Sequence, residues 1–165
     1  MRRGILGWGL LAAGTLYLMH RTWPVHQGPL PDLLWRYTPA DLARFAAALS
    51  PEDRHRFVLW HGTWDLWWPL LYGGLLGVLG WRWAKPWPWA RWLLLGTTVA
   101  VVAADFVENA ALSVYVATFP PGSLGWARIA AWATCLKWTL LAGLLLSLAL
   151  LGFRILWQAL LKNRS

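Results

Sequence analysis

Four long apolar runs, at residues 4–19, 58–80, 93–117 and 126–153, take up more than half of this chain and leave it few ways to fold. A helix of about 20 apolar residues spans the roughly 30 Å hydrocarbon layer of a bilayer. Lipid offers no partner for backbone N–H and C=O groups, so a crossing chain must satisfy them within its own helices or within a closed barrel. Composition agrees: of 165 residues, 58% are hydrophobic and 13% charged, about half the charged share of an ordinary soluble domain. These features predict an all-α, polytopic membrane protein, a bundle of four transmembrane helices forming one domain over residues 1–165, with the bilayer as its first partner.

The first run follows Arg2 and Arg3 but lacks an AxA-like cleavage site, so it is read as a retained helix and not as a signal peptide. Pro86 and Pro88 separate the second and third runs, and Pro120, Pro121 and Gly122 separate the third and fourth. Such short connections predict antiparallel neighbours in a compact bundle. The fourth run is near the upper limit for one tilted helix. Sixteen tryptophans, including Trp81, Trp83, Trp87, Trp89 and Trp92, gather near the ends of the runs, as expected of an aromatic belt at the headgroup level.

Basic residues set the orientation. One side collects Arg2, Arg3, Arg82, Lys85, Arg91, Arg154, Lys162 and Arg164 and no acid. The other mixes Arg21, Arg36, Arg44, Arg54, Arg56 and Arg128 with Asp32, Asp41, Glu52 and Asp53. The positive-inside rule therefore predicts a bacterial inner-membrane protein with both termini cytoplasmic. The net charge of +8 flanks the apolar runs and forms no basic stripe interleaved with aromatics, which argues against nucleic acid as a partner. The single Cys135 excludes an intrachain disulfide and any CxxC motif, and reads as a small core side chain.

The outer loop, residues 20–57, carries two helix starts. Thr38-Pro39 with Asp41, and Ser50-Pro51 with Glu52 and Asp53, combine a hydroxyl N-cap, proline at the first position and acids in the first turn. The first opens an amphipathic helix over residues 39–49, with Leu42, Phe45, Ala46 and Leu49 on one face, read as a lid on the outer membrane surface. The second is expected to run unbroken into the second span.

Polar residues inside the runs mark the candidate site. Asp105, Glu108 and Asn109 share one face of the third run, at a depth where a charge costs about 3 kcal/mol or more unless paired or wetted. The second run adds Asp65, with His61, Pro69 and Tyr72 on the same face, and the fourth adds Lys137 with Thr134 one turn earlier. Antiparallel packing brings Asp65, Asp105, Glu108, Asn109 and Lys137 to similar depth. Three carboxylates facing one ammonium imply a protonated carboxyl or a cation that completes the site. Asp65, Asp105, Glu108 and Lys137 are the candidate acid/base residues. Tyr72 and Asn109 join them as binding residues. His61 and Asp65 at i, i+4, with Glu108 as third ligand, form a weaker metal candidate. His20, His26 and His55 are expected to be solvated. No GxSxG, P-loop or dinucleotide fingerprint is present.

The segments YTPADLARFAAALSPEDRHRF, WDLWWPLLYGG, ADFVENAAL and ATCLKW, within residues 37–140, resemble a group of small, uncharacterised bacterial four-helix membrane proteins. Its pattern implies a conserved set at Asp65, Pro69, Tyr72, Asp105, Glu108, Asn109 and Lys137, without implying an activity. The architecture is also similar to that of the sterol isomerase and sigma-2 receptor superfamily, whose helices enclose acidic and aromatic residues around a cationic ligand; no residue is carried over.

Three functions compete at this point. The first is an intramembrane pocket for a lipid-like or cationic small molecule, with Trp64, Trp68 and Trp138 as cation-π walls. The second is an accessory subunit whose buried ion pairs only fix the fold. The third is a proton- or ion-coupled transporter, which at this size would have to form a homo-oligomer.

Overall fold

A computed structural model describes residues 2–21 and 30–162. His26 and Arg164 therefore lie outside the described residues. The chain is all-α: α1 (Arg2–Arg21), a 3-10 turn at Pro31–Leu33, α2 (Pro39–Ala48), α3 (Pro51–His61), α4 (Trp64–Trp83), α5 (Pro88–Ala117) and α6 (Gly125–Lys162). The middle of the fold is α5, which packs along both α4 and α6, while α1 packs against α4.

Among the described residues two helices, α5 and α6, are long and apolar enough to cross a membrane, where the sequence predicted four. The physical reason lies in composition. Although α1 and α4 have 20 residues each, α1 carries Arg2, Arg3, His20 and Arg21, and α4 carries Asp65, Arg82, five tryptophans and four glycines. Charged side chains lower mean hydropathy, and so do tryptophan and glycine, although both occur readily in membrane helices. On α6 most of the apolar surface faces outward, with Leu145, Leu146, Leu150, Phe153 and Leu156 all exposed. This helix continues to Lys162, well past the predicted end at 153.

The outer segment folds as its capping residues predict. Thr38 Oγ1 accepts from the Asp41 N–H at 3.2 Å while the Asp41 carboxylate accepts from the Thr38 N–H at 2.8 Å, a reciprocal capping box. Ser50 Oγ caps α3 by accepting from the Asp53 N–H at 3.1 Å, without the reciprocal backbone bond. The apolar face of α2, however, is used inside the protein and not on a membrane surface. Leu42, Ala46 and Leu49 join Phe57 of α3, Leu112 and Tyr115 of α5 and Ala127 and Ala130 of α6 in one core. Arg54 locks this cap in place, donating to the Ala46 carbonyl at 3.2 Å and to the Phe119 carbonyl at 3.0 Å beyond the end of α5.

The run from α3 into α4 is broken, contrary to expectation. Helix α3 ends at His61, and Gly62 and Thr63 intervene before α4 begins at Trp64. Glycine is a weak helix former. The Thr63 hydroxyl also bonds back to the Leu59 carbonyl at 2.8 Å and so competes with the backbone ladder. The break places Asp65 in the first turn of α4, where the helix dipole favours a carboxylate.

Close approach of α4 to α5 depends on glycine at one position. A Cβ on Gly73 would lie 2.4 Å from Val102 Cγ2, so only hydrogen fits there. Its neighbour Tyr72 thereby reaches α5. At the opposite end, Gly80, Ala84, Leu94, Leu144 and Leu148 close a second core, and the Arg91 and Arg154 guanidiniums stack over Trp81 and Trp87 at 3.7 and 4.3 Å.

Candidate functional site

The buried polar cluster divides into two halves of different character. The first is built around Lys137 on α6. Its Nζ lies 3.3 Å from Asp105 Oδ1 and also pairs with Glu108 Oε2, both acids on α5. All three side chains are buried, Glu108 completely. The remaining carboxylate oxygens are served as well. The Tyr72 hydroxyl donates to Asp105 Oδ2 at 2.6 Å, and Thr134 Oγ1 contacts Glu108 Oε1. Thr134 has one proton but three oxygen neighbours, because Tyr37 Oη and the Ala130 carbonyl lie 3.2 and 2.9 Å away. The single Thr134 proton serves one of these oxygens at a time, Tyr37 Oη among them. Burial pushes that phenol above its ordinary pKa, the nearby Glu108 and Asp32 charges add to the shift, and it remains a donor.

The joint between the halves follows from a missing hydrogen bond. In a helix the Asp65 carbonyl would accept from the N–H four residues on, but that residue is Pro69, which has none. Asn109 of α5 supplies the donor instead: its Nδ2 lies 3.2 Å from the Asp65 carbonyl oxygen. The i, i+4 spacing of Asp65 and Pro69 thus creates an orphan acceptor, and Asn109 answers it. Asn109 Oδ1 has no hydrogen-bond partner although the residue is 94% buried, being only 6% exposed.

The second half is less well satisfied. His61 Nε2 faces Asp65 Oδ2 at 3.6 Å, with both side chains buried. Asp32, from the 3-10 turn of the outer segment, brings a third ligand-type atom, and the three atoms lie within 4.8 Å of one another. Asp32 is held from behind by Trp138, whose Nε1 donates to its carbonyl oxygen at 3.0 Å. Its Oδ1 is buried without a hydrogen-bond partner. On His61 the Nδ1 lies 3.0 Å from the Phe57 carbonyl, which can only accept. Nδ1 therefore carries a proton, and Nε2 is the ring nitrogen turned toward Asp65.

No family model, curated protein or solved structure matches the chain. The geometry is therefore what bears on function. It brings together Asp105, Glu108, Lys137 and Tyr72 as one bonded set, and it ties Asn109 to the backbone of Asp65 instead of to a side chain. In the metal candidate, Glu108 is engaged by Lys137 and Thr134, while Asp32 stands beside His61 and Asp65.

Asp32 is the residue that sequence reasoning missed. It sits outside the helices, where an acid is ordinarily solvated, and the one signal in the sequence is its apolar setting between Leu30, Pro31, Leu33 and Leu34. Of the three tryptophans expected as cation-π walls, Trp138 lies beside Lys137 with the Nζ 5.4 Å from the ring centroid. Trp68 instead packs against Tyr72, their centroids 5.8 Å apart. Two apolar grooves, of about 810 and 890 Å³, run between α4 and α5 and between α5 and α6. Cys135 lines the second, and neither is lined by a carboxylate.

Proposed function

We propose that this chain is a four-span integral membrane protein whose buried acidic site binds a positively charged ligand. The observation that carries the reading is the charge count. Among the described residues Asp32, Asp65, Asp105 and Glu108 are all buried, and Lys137 is the one buried lysine or arginine beside them. Two carboxylates suffice for Lys137, so Asp32 and Asp65, which stand beside His61, call for a proton or a positive ligand of their own. Burial of two uncompensated anions is far costlier than burial of a neutralised pair. A cationic group of a lipid-like or small molecule, held between the outer segment and α4, removes that cost.

The four-span arrangement is part of the same proposal. It draws support from the two apolar helices, from the exposed Trp89 and Trp92 beside Arg82 and Lys85 at one end, and from the position of α4 against α5. The basic end is then cytoplasmic and the carboxylates fall in the outer half of the bilayer, in an inner membrane.

The test is ligand-induced stabilisation in nanodiscs. A single-chain alkylammonium amphiphile is expected to raise the unfolding temperature of the wild type and to leave Asp65→Asn unmoved. Equal shifts in both proteins, or none in either, would remove the reading. The set around Lys137 favours a second role for that half alone: with both acids ion-paired to Lys137 and hydrogen-bonded to Tyr72 and Thr134, it serves as a scaffold that fixes how α4, α5 and α6 meet.

A further inference from the structure

We infer that Asp32, His61 and Asp65 form a binding site for a divalent transition-metal ion of the zinc type. This rests on the reading that a positive charge fills the acid excess, and it puts a metal ion where that reading puts an organic cationic group.

Ligand chemistry is the first argument. One imidazole nitrogen and two carboxylate oxygens are a donor set that zinc accepts, with a fourth position left for water or another ligand. A tetrahedral site with metal–ligand bonds of about 2.0–2.1 Å separates its donor atoms by about 3.3–3.5 Å. His61 Nε2 and Asp65 Oδ2 are already 3.6 Å apart. The widest separation among the three, at most 4.8 Å, closes by rotation of aspartate side chains.

Orientation is the second argument. A ligating histidine ordinarily donates its other ring N–H to a carbonyl or carboxylate, which fixes the tautomer and aims the lone pair at the metal. His61 meets this condition through the Phe57 carbonyl. The ring nitrogen so aimed lies 3.6 Å from Asp65 Oδ2, the separation of two donors on one metal ion. An ion placed among the three atoms is coordinated by both.

Two further observations are independent of the trio's spacing. Asp32 is 92% buried, being 8% exposed, and its Oδ1 has no hydrogen-bond partner, so one of its oxygens lacks a donor inside the protein. Asn109 Oδ1, attached to the residue that grips the Asp65 backbone, is in the same condition. Charge then balances locally: a divalent ion neutralises Asp32 and Asp65 and leaves the Lys137 pairs untouched.

The experiment uses the full chain in mild detergent, stripped with a chelator and reloaded with zinc, with cobalt as a spectroscopic probe. About one zinc per chain is expected by elemental analysis, and the cobalt form should show the visible bands of a low-symmetry four-coordinate site. Asp32→Asn, His61→Gln and Asp65→Asn should each weaken zinc binding about 100-fold or more, whereas Glu108→Gln should retain it. Helicity by circular dichroism and elution volume identify any variant that misfolds, and Asp32→Asn, in the outer segment, is nearly isosteric. Absence of bound zinc while the alkylammonium still stabilises the protein through Asp65 overturns the metal and leaves the cation reading standing. Absence of both responses overturns the two together. Zinc retained by all three ligand variants also overturns the assignment.

Discussion

Replacing Lys137 by methionine tests how the buried charges are held. Lys137 Nζ is 3.3 Å from Asp105 Oδ1 and pairs with Glu108 as well, and the side chains are 9%, 5% and 0% exposed. At an effective dielectric of about 20, each such contact is worth about 5 kcal/mol of Coulomb attraction before desolvation is counted. Desolvation cancels most of it, so the intact set contributes little net stability. Removing the lysine alone is different, because it strands two carboxylates. Breaking a buried pair this way costs about 3–5 kcal/mol. Protonation sets a ceiling: at pH 7 each carboxylate of ordinary pKa takes up a proton for about 4 kcal/mol, or about 8 kcal/mol for both. The loss in Lys137→Met should therefore shrink as pH falls, by about 1.4 kcal/mol per pH unit for each carboxylate that must be protonated. The triple variant Lys137→Met, Asp105→Asn, Glu108→Gln removes every formal charge, and the new amide oxygens still accept from Tyr72 and Thr134. It should lie within about 2 kcal/mol of wild type. Stability is read by titrating the protein in mixed micelles with denaturing detergent and following tryptophan fluorescence. A single variant within about 1 kcal/mol of wild type would refute the ion pairs, and a triple variant as unstable as the single would refute stranded charge as the cause.

Three further outcomes follow from local geometry. Asn109→Leu leaves the Asp65 carbonyl without a donor and should cost about 1–3 kcal/mol; in a Pro69→Ala background the restored N–H takes over, so the same change should cost clearly less, and additive losses in a double-mutant cycle would contradict the pairing. Gly73→Ala forces a methyl against Val102 and should destabilise by about 1–3 kcal/mol, with the Tyr72–Asp105 bond lengthened; an unchanged unfolding midpoint would count against the α4–α5 contact. Hydrogen bonds from the Thr38 side chain and N–H, and then the Arg44 charge, hold the Asp41 carboxyl below its ordinary value. A lowered folded pKa means that its contribution is complete above the ordinary aspartate range, about 3.9, and is lost as pH falls through the folded value. Amide exchange at the start of α2 should accelerate only in that acid window, and Asp41→Asn should abolish the pH dependence.

What could be read in the sequence was whatever a helix encodes locally. Thr38-Pro39-Ala40-Asp41 and Ser50-Pro51 fixed two helix starts because hydroxyl caps and proline at the first position act within one turn. The bonded set of Tyr72, Asp105, Glu108 and Lys137 was legible because a carboxylate inside an apolar helix demands a partner, and short connections leave few candidates. The break at Gly62 and Thr63 was not, since a proline, serine or glycine inside a helical pattern is decided by tertiary context. Nor was the use of the α2 face: Leu42 and Ala46 are equally suited to lipid and to the ends of α5 and α6.

Asp32 illustrates why the remainder was hidden. The other buried acids, and His61 and Lys137 beside them, all lie on helices, where spacing predicts a shared face. Asp32 arrives from a 3-10 turn, and its place is set by contacts distant in sequence, from Trp138 to its carbonyl and between Tyr37 and Thr134. The same origin separates the two halves of the site physically. Asp105, Glu108 and Lys137 belong to helices that pack along their length, so their geometry is fixed once α5 and α6 meet. The Asp32 carboxylate reaches its position only when the outer segment docks on that assembled bundle. Docking an aspartate with an unpartnered, buried oxygen beside a second carboxylate is uphill unless something positive waits there. A cation held by Asp32, His61 and Asp65 would therefore also stabilise the packing of the 3-10 turn against the bundle, so its binding should raise the unfolding midpoint of the whole protein.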